Sequence, residues 1–213
     1  MKMVEIAVMG YGVVGTGVVE VLSKHEDHLA RRAHQDIQVK YILVRRDYPE
    51  PPPMGQFVKN FDQIIEDPAI RVVVEVMGGL DPAYTYVKRC LQAGKSVVTS
   101  NKELVAAKGA ELLQIARDTN ANFLFEASVG GGIPIIRPMT QCLAANDVVE
   151  VAGILNGTTN YILTKMFREG DSFEHALAEA QRLGYAERDP TADVEGGEAC
   201  RKICILASLA YGK

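Results

Sequence analysis

Apolar and polar positions divide the chain at a glycine cluster near residue 130. Before it, "MVEIAVM" (3–9), "IQVKYILV" (37–44), "RVVVEV" (71–76), "SVVTS" (96–100) and "NFLFEA" (122–127) are apolar runs of strand length, rich in β-branched residues. Between them "YGVVGTGVVEVLSK", "DPAYTYVKRCLQAG" (81–94) and "KELVAAKGAELLQIARDT" carry helical spacing. The second helix is expected to take Asp81 as N-cap and Pro82 as its first residue, and to stop at Gly94. Strands that are apolar on both faces and joined by helices imply a parallel sheet covered on both sides. The Pro-rich "YPEPPPMG" (48–55) reads as a surface connection.

Beyond residue 130 the pattern changes. "GGGIPIIRPMTQCLAA" starts a helix after glycines, "VVEVAGIL" (148–155) reads as a strand, and helices are expected at 158–169, 172–183 and roughly 192–211. The last contains "ICILASLAY" (203–211), apolar nearly all round, as a buried helix is. One strand and three helices do not close an α+β core. The division is therefore a first domain over 1–130 and an incomplete second domain over 131–213, which is a fragment or needs a partner chain.

A length of 213 residues suffices for a real core, and 47% hydrophobic with 23% charged residues is ordinary for a globular protein. A net charge of -4 without a basic run argues against a nucleic-acid surface. No apolar stretch reaches bilayer length and the opening residues read as a strand, so neither membrane anchor nor leader is expected. Cys90, Cys142, Cys200 and Cys204 lack metal-finger spacing; they read as core residues in a reducing, cytoplasmic compartment.

"GYGVVG" places Gly10, Gly12 and Gly15 after a strand and at the head of a helix. Gly10 permits a tight turn, Gly12 lets backbone approach a pyrophosphate, and Gly15 lets helix and strand sit close. Free amides at the helix start, at Val13 and Val14, favour the anion. In this context the motif reads as a dinucleotide loop, giving a Rossmann-type doubly wound parallel sheet followed by a partial α+β substrate domain. At the end of the second strand Arg45 and Arg46 precede Asp47. Arginine suits a 2′-phosphate and an acid suits a 2′-hydroxyl, so NADP is favoured and NAD is the alternative. "GKS" at 94–96 is not a P-loop, because Arg89 stands where its first glycine belongs and Ser96 opens a strand. Ser100 and Lys102 stand at the carboxyl end of a strand, where ligands bind in such sheets; Lys102 either points into the cleft or is a surface lysine in a helix's first turn. The bend in "EASVGGGIP" (126–134) is either a hinge or a carbonyl cage for a hard cation.

Near the end of the chain, Lys202 opens the apolar run, with Glu198 one helical turn before it. Two readings stand: a solvated Glu–Lys pair, or a buried ammonium met by Glu187, Asp189, Asp193, Glu195 and Glu198. The second suits a proton donor. Together with a dinucleotide domain it points to hydride transfer to a small zwitterionic substrate.

The motifs "GYGVVG", "EVMGGLDPA", "AGKSVVTSNKELVA", "FEASVGGGIPIIRP", "GILNGTTNYIL" and above all "LGYAERDPTADVEGGEACRK" resemble those of homoserine dehydrogenases over essentially the whole chain. The resemblance implies reversible NAD(P)H-dependent reduction of L-aspartate 4-semialdehyde to L-homoserine, in threonine and methionine synthesis. It implies Lys202 as proton donor, Lys102 near nicotinamide and substrate, and Glu187 holding the substrate amino group. Gly157, Thr158 and Asp193 would lie against the substrate, and Gly78, Gly79 and Gly184 with the cofactor. A sodium ion would be held by main-chain oxygens of Glu126, Val129, Gly131 and Ile133, and members form homo-oligomers. Glu198 departs from the family's aspartate. The family's catalytic unit also continues beyond this length, so a non-catalytic cofactor-binding fragment, or another NADP-dependent amino-acid dehydrogenase, is the alternative.

Overall fold

The computed structural model describes residues 3–186 and 188–212, in two compact units, Met1–Gly131 and Gly132–Lys213. The first contains a six-stranded sheet in the order β3-β2-β1-β4-β5-β6. Its strands are β1 (Met3–Met9), β2 (Asp36–Leu43), β3 (Gln56–Val58), β4 (Ile70–Glu75), β5 (Ser96–Thr99) and β6 (Phe123–Leu124). All neighbours pair in parallel. Five helices connect them: α1 (Val13–Lys24), α2 (Glu26–Ala33), α3 (Asp62–Ile65), α4 (Ala83–Gln92) and α5 (Lys102–Asp118). The order runs outward from β1 through β2 and β3, then outward on the other side through β4, β5 and β6. Right-handed crossovers in the two directions place helices on both faces, so this is the expected doubly wound sheet.

β1 is central because its apolar run has no solvent face: Ala7, Val8 and Met9 are fully inaccessible. Ile6, Val8, Val39, Ile42 and Val44 pack against Val19 of α1. Burial of a side chain such as Val19 contributes about 1.5–3 kcal/mol.

Several boundaries differ from expectation. Asp81 is not an N-cap: α4 is capped by Pro82, with no side-chain cap bond. The Tyr84 amide, which a cap at Asp81 would have served, donates instead to the Leu80 carbonyl at 2.8 Å. The fifth expected strand shrinks to Phe123–Leu124, because β5 offers it only Val97 and Val98 as partners. A 3-10 turn, Glu126–Ser128, follows, and the Ser128 hydroxyl ties it back to the Phe125 carbonyl at 2.6 Å. The sequence pattern passed over β3, α2 and α3.

The second unit contains α6 (Gly157–Glu169), α7 (Phe173–Arg182), α8 (Thr191–Val194) and α9 (Gly197–Tyr211). α6 and α7 form a hairpin around Ile162, Ala176, Ala180 and Ala186, flanked by Tyr161, Met166, Phe173 and Leu177. Asn156 caps α6 and Ser172 caps α7 through their side-chain oxygens, and Gly170, at φ +74°, ends α6.

The strand expected at 148–155 is not formed. Among the described residues no strand of this unit offers it a ladder, and Val149 and Ile154 are exposed. After the glycines there is only a short π-helical turn, Pro138–Cys142, closed by Leu143 N–H to the Pro138 carbonyl at 3.0 Å. Pro138 has no amide to continue an α-helical ladder. The expected helix 192–211 is two helices, broken at Gly196, whose φ is +80°. Of α9 only Ile205 and Leu206 are buried, so it is not a helix enclosed on all sides. Cys90 alone among the cysteines is a core residue; Cys142, Cys200 and Cys204 are free and exposed. Among the described residues no helix is long and apolar enough to cross a membrane.

Candidate active site

The glycine loop lies where the strand order reverses. β1 ends at Met9; the Gly10 amide donates to the Leu43 carbonyl at the end of β2, and Val76 after β4 donates to the Met9 carbonyl, both at 3.0 Å. Gly10 has φ +106°, and a Cβ there would lie 2.9 Å from the Val76 carbonyl oxygen. A Cβ on Gly15 would sit 2.1 Å from the Gly10 oxygen, so only glycine lets α1 approach the loop this closely. Gly12 faces open space. It is the N-cap of α1 without a side-chain cap bond, no acid stands in the first turn, and Val13 and Val14 are exposed. The helix therefore presents unused amides and the positive end of its dipole. That is the chemistry of a phosphate site.

A cavity of about 350 Å³ opens beside this loop, lined by Gly10, Tyr11, Gly12, Arg45, Arg46 and Lys59 among others. Arg45 and Arg46 are exposed at the end of β2. The Arg46 Nε donates to the Tyr48 hydroxyl at 3.2 Å, and its guanidinium lies 5.0 Å from the ring centre. The Tyr48 hydroxyl donates in turn to the Tyr11 carbonyl at 2.7 Å, which fastens the arginine's support to the glycine loop. Tyr11, Tyr48 and Phe57 form an aromatic wall with ring centres 5.0–5.2 Å apart. Burial, followed by the neighbouring Tyr48 and Glu20, holds the Tyr11 hydroxyl above its ordinary pKa.

Lys59 was missed by the sequence reading. It follows β3, which pairs with β2, so the ends of the two strands and their cations meet. The only local signal is the apolar pair Phe57–Val58 after the Pro–Gly connection, too brief to define a strand by itself.

On the other side of the reversal, Gly78 and Gly79 follow β4 with φ of +75° and +71°. Ser100 follows β5, its amide 3.4 Å from the Glu75 carbonyl, and Lys102 is the half-buried first residue of α5, whose cap is Asn101. Glu75, also passed over in the sequence, is completely buried here.

In the second unit the sequence-selected residues converge on the loop before α6. The Asn156 Nδ2 donates to Asp193 Oδ1 at 2.6 Å. The buried Thr158 hydroxyl lies 2.9 Å from Asp193 Oδ2 and 2.8 Å from the Tyr185 carbonyl, one proton shared between two acceptors. Gly157, the first residue of α6, is exposed beside them. Gly184 is exposed at φ +79°. Glu187 lies outside the described residues.

Of the acids expected to meet Lys202, Glu187 lies outside the described residues, and the Glu198 pairing offered by helical spacing is not formed. Lys202 is half-buried, and its Nζ donates to the Leu155 carbonyl at 3.0 Å. Among the described residues no carboxylate pairs with it, and Glu198 pairs with Arg201 at 3.2 Å. The reason is geometric: Arg201, three residues on, competes for the carboxylate that spacing alone offered to Lys202. Lys202 therefore tethers α9 to the start of the Asn156 loop, while Asp193 tethers α8 to its middle.

Of the expected cation ligands, Glu126, Val129 and Gly131 belong to the first unit and Ile133 to the second. The Glu126 carbonyl accepts from the Val129 amide at 3.3 Å. Among the described residues no group of three or more His, Cys, Asp or Glu side chains could hold a metal.

A doubly wound sheet with a glycine loop at its reversal, a free helix start and a cationic rim defines a dinucleotide-binding protein of the dehydrogenase class. Comparison with known proteins carries this further. Residues 10–126 match the family model described as "Homoserine dehydrogenase, NAD binding domain", and residues 134–213 the model "Homoserine dehydrogenase". The homoserine dehydrogenase of Bacillus subtilis is 41% identical over 214 residues, covering 99% of this chain and 49% of the relative. The crystal structure of a homoserine dehydrogenase from Thiobacillus denitrificans superposes with a TM-score of 0.94 at 41% identity, covering 100% of this chain and 50% of that one. A hyperthermophilic archaeal homoserine dehydrogenase in complex with NADPH superposes at 0.87 with 28% identity, covering 99% and 70%. The chain belongs to the homoserine dehydrogenase family, and its first unit is that family's nicotinamide-cofactor domain. It spans about half the length of the curated relatives it matches.

Proposed function

We propose that this chain takes part in the reversible NADPH-dependent reduction of L-aspartate 4-semialdehyde to L-homoserine in the cytoplasm, as an oxidoreductase of threonine and methionine synthesis. The observation that carries the cofactor reading is the cavity at the glycine loop with Arg45, Arg46 and Lys59 on its rim. With Lys59 paired to Asp47, Arg45 and Arg46 favour the 2′-phosphate of NADP over the bare ribose of NAD. Asp47, the acid that would accept from a ribose hydroxyl, is already paired with Lys59 at 2.6 Å.

The nicotinamide supplies or accepts the hydride when bound. The amides of Val13 and Val14 and the backbone at Gly12 receive the pyrophosphate. Gly78, Gly79, Ser100 and Lys102 border the other half of the dinucleotide. In the second unit, Gly157, Thr158, Asp193 and Glu187 hold the amino-acid substrate, and Gly184 belongs with the cofactor-binding positions. Lys202 gives its proton to the carbonyl oxygen as that oxygen becomes a hydroxyl. Its hydrogen bond to Leu155 orients the amine without neutralising it, which supports a donor role. Glu198, held by Arg201, orders the helix turn that carries the lysine.

A sodium ion on main-chain oxygens of Glu126, Val129, Gly131 and Ile133 belongs to the same reading. Main-chain carbonyl donors suit a hard cation. Self-association, as in the family, completes the proposal. The test is L-homoserine-dependent NADP reduction by this chain, with NADPH binding measured separately and Lys202→Ala as control. Turnover that disappears in the control is expected. Tight NADPH binding without turnover would establish a non-catalytic cofactor-binding chain instead, and reduction with a different amino acid only would reassign the substrate.

A further inference from the structure

A carboxylate without any exposed surface joins two loops at the carboxyl ends of β4 and β5. Glu75, the last residue of β4, is 0% exposed, and Thr99, its partner in the β4–β5 register, is 2% exposed. Glu75 Oε1 accepts from the Met77 amide at 2.8 Å. Its Oε2 accepts from the Thr99 hydroxyl at 2.6 Å. The same Thr99 oxygen accepts from the Asn101 amide at 2.9 Å. Asn101 Nδ2 then donates to the Gly79 carbonyl at 2.6 Å, and its Oδ1 caps α5 through the Leu104 amide at 3.1 Å. The bonds close a ring: Glu75, the 77–79 loop, Asn101, Thr99 and Glu75 again.

An apolar residue at position 75 would complete the sheet at lower cost, because a buried carboxylate must be fully hydrogen-bonded to be tolerated. A satisfied buried network restricts geometry more than it adds stability. Here the groups it restricts are the Gly78–Gly79 turn and the Ser100–Lys102 segment. In a doubly wound sheet the dinucleotide straddles the strand-order reversal, with its adenosine ribose at the end of β2. The nicotinamide half therefore extends over the ends of β4 and β5.

We propose that Glu75, acting through Thr99 and Asn101, is a positioning residue for the nicotinamide half of the cofactor. It sets the distance between the Gly78–Gly79 turn and the start of α5, without touching the ligand. This rests on the dinucleotide reading above and adds to it the element that shapes one half of that site.

Thr99→Val deletes the linking hydroxyl at nearly constant volume, and Thr99→Ser restores it. Binding is measured for NADPH or NADH, whichever the unmutated chain holds more tightly, and for the matching adenosine fragment, 2′,5′-ADP or ADP. Thr99→Val is expected to weaken the dinucleotide about tenfold while the fragment changes less than about twofold, with Thr99→Ser close to the unmutated chain. Glu75→Gln, which offers one acceptor where two are used, should show the same split. In the ligand-free chain the Met77 and Asn101 amides should exchange with deuterium faster in Thr99→Val than in Thr99→Ser. Equal weakening of dinucleotide and fragment, or unchanged amide exchange, would overturn the positioning role. Failure of the unmutated chain to bind either dinucleotide would overturn the underlying reading, and the inference with it.

Discussion

Lys59 Nζ lies 2.6 Å from Asp47 Oδ1, across the open ends of β3 and β2. The pair changes how the end of β2 reads a ribose. Asp47 alone would invite a 2′-hydroxyl; paired, it is neutralised, and Arg45 and Arg46 set the sign of the rim. Replacing Arg46 by Ala should weaken NADPH about fivefold and NADH less than about twofold, the modest size reflecting solvent exposure. Lys59→Ala should act in the same direction and additionally release Asp47, which narrows the preference from the NADH side. Titration of both coenzymes by intrinsic fluorescence measures the ratio. Equal losses for the two coenzymes would remove the 2′-phosphate assignment.

Two glycines of the loop should respond oppositely to the same methyl group. At Gly15 a Cβ would meet the Gly10 carbonyl oxygen at 2.1 Å, a backbone atom that cannot rotate away. Gly15→Ala should therefore destabilise the first unit by about 3 kcal/mol or more. Gly12 has φ -88° and open space around its Cβ position. Gly12→Ala should leave stability within about 0.5 kcal/mol and yet reduce cofactor affinity, because the methyl group occupies the approach of the pyrophosphate. Urea unfolding and NADPH titration of both variants separate the two effects. A Gly12→Ala chain that binds as before would show that the pyrophosphate does not pass there.

Lys202 is the clearest place to separate chemistry from folding. Its side chain makes one hydrogen bond among the described residues, to the Leu155 carbonyl, so Lys202→Ala should cost no more than about 1.5 kcal/mol of stability. Loss of a general acid, by contrast, should lower kcat about 10²–10⁴-fold. Paired stability and turnover measurements decide. A variant that unfolds readily but keeps its turnover would make Lys202 a structural tether only.

The parts of the molecule legible in the sequence share a physical property: their environment is set locally. β1, β2, β4 and β5 each bury apolar residues, such as Ala7, Val8 and Met9 of β1, and Gly10 and Gly15 are demanded by the close meeting of strand, loop and helix. What escaped depends on partners far along the chain. Lys202 answers to Leu155, which is 47 residues away, and no spacing rule contains that distance. The reading of Glu198 as its partner followed helical periodicity correctly and lost to Arg201 on the same helix. Glu75 reads as the polar end of an apolar strand until register places it against Thr99. β3 is three residues long, too short for alternation to declare itself, and Lys59 was lost with it. The segment 148–155 is a mostly apolar run of strand length, but among the described residues of its unit it has no strand to pair with, and pattern alone does not supply one.

Acid sensitivity should trace to one tie across the base of the sheet. Lys40 Nζ on β2 donates to Glu5 Oε2 on β1 at 2.9 Å and to Asp67 Oδ2, just before β4, at 2.8 Å. The hydrogen bond from Lys40 holds the Asp67 carboxyl below its usual pKa, and Asp67 and Glu5 together raise that of Lys40. For a carboxylate whose folded pKa is depressed, the stabilisation is complete above the ordinary value of about 3.9 and is lost as pH falls through the lowered one. For the lysine the window is the reverse: the contribution is complete below its ordinary value and fades as pH rises through the raised one. At neutral pH both are intact. Asp67→Asn keeps an oxygen for the Ala69 amide, which the carboxylate serves at 2.9 Å, but removes the charge. The variant should fall below the unmutated chain in urea midpoint at pH 6, and the gap should narrow toward pH 2–3 as the carboxylate is protonated. A gap of equal size at both ends would mean that the charge of Asp67 contributes nothing and that only its hydrogen-bonding shape matters.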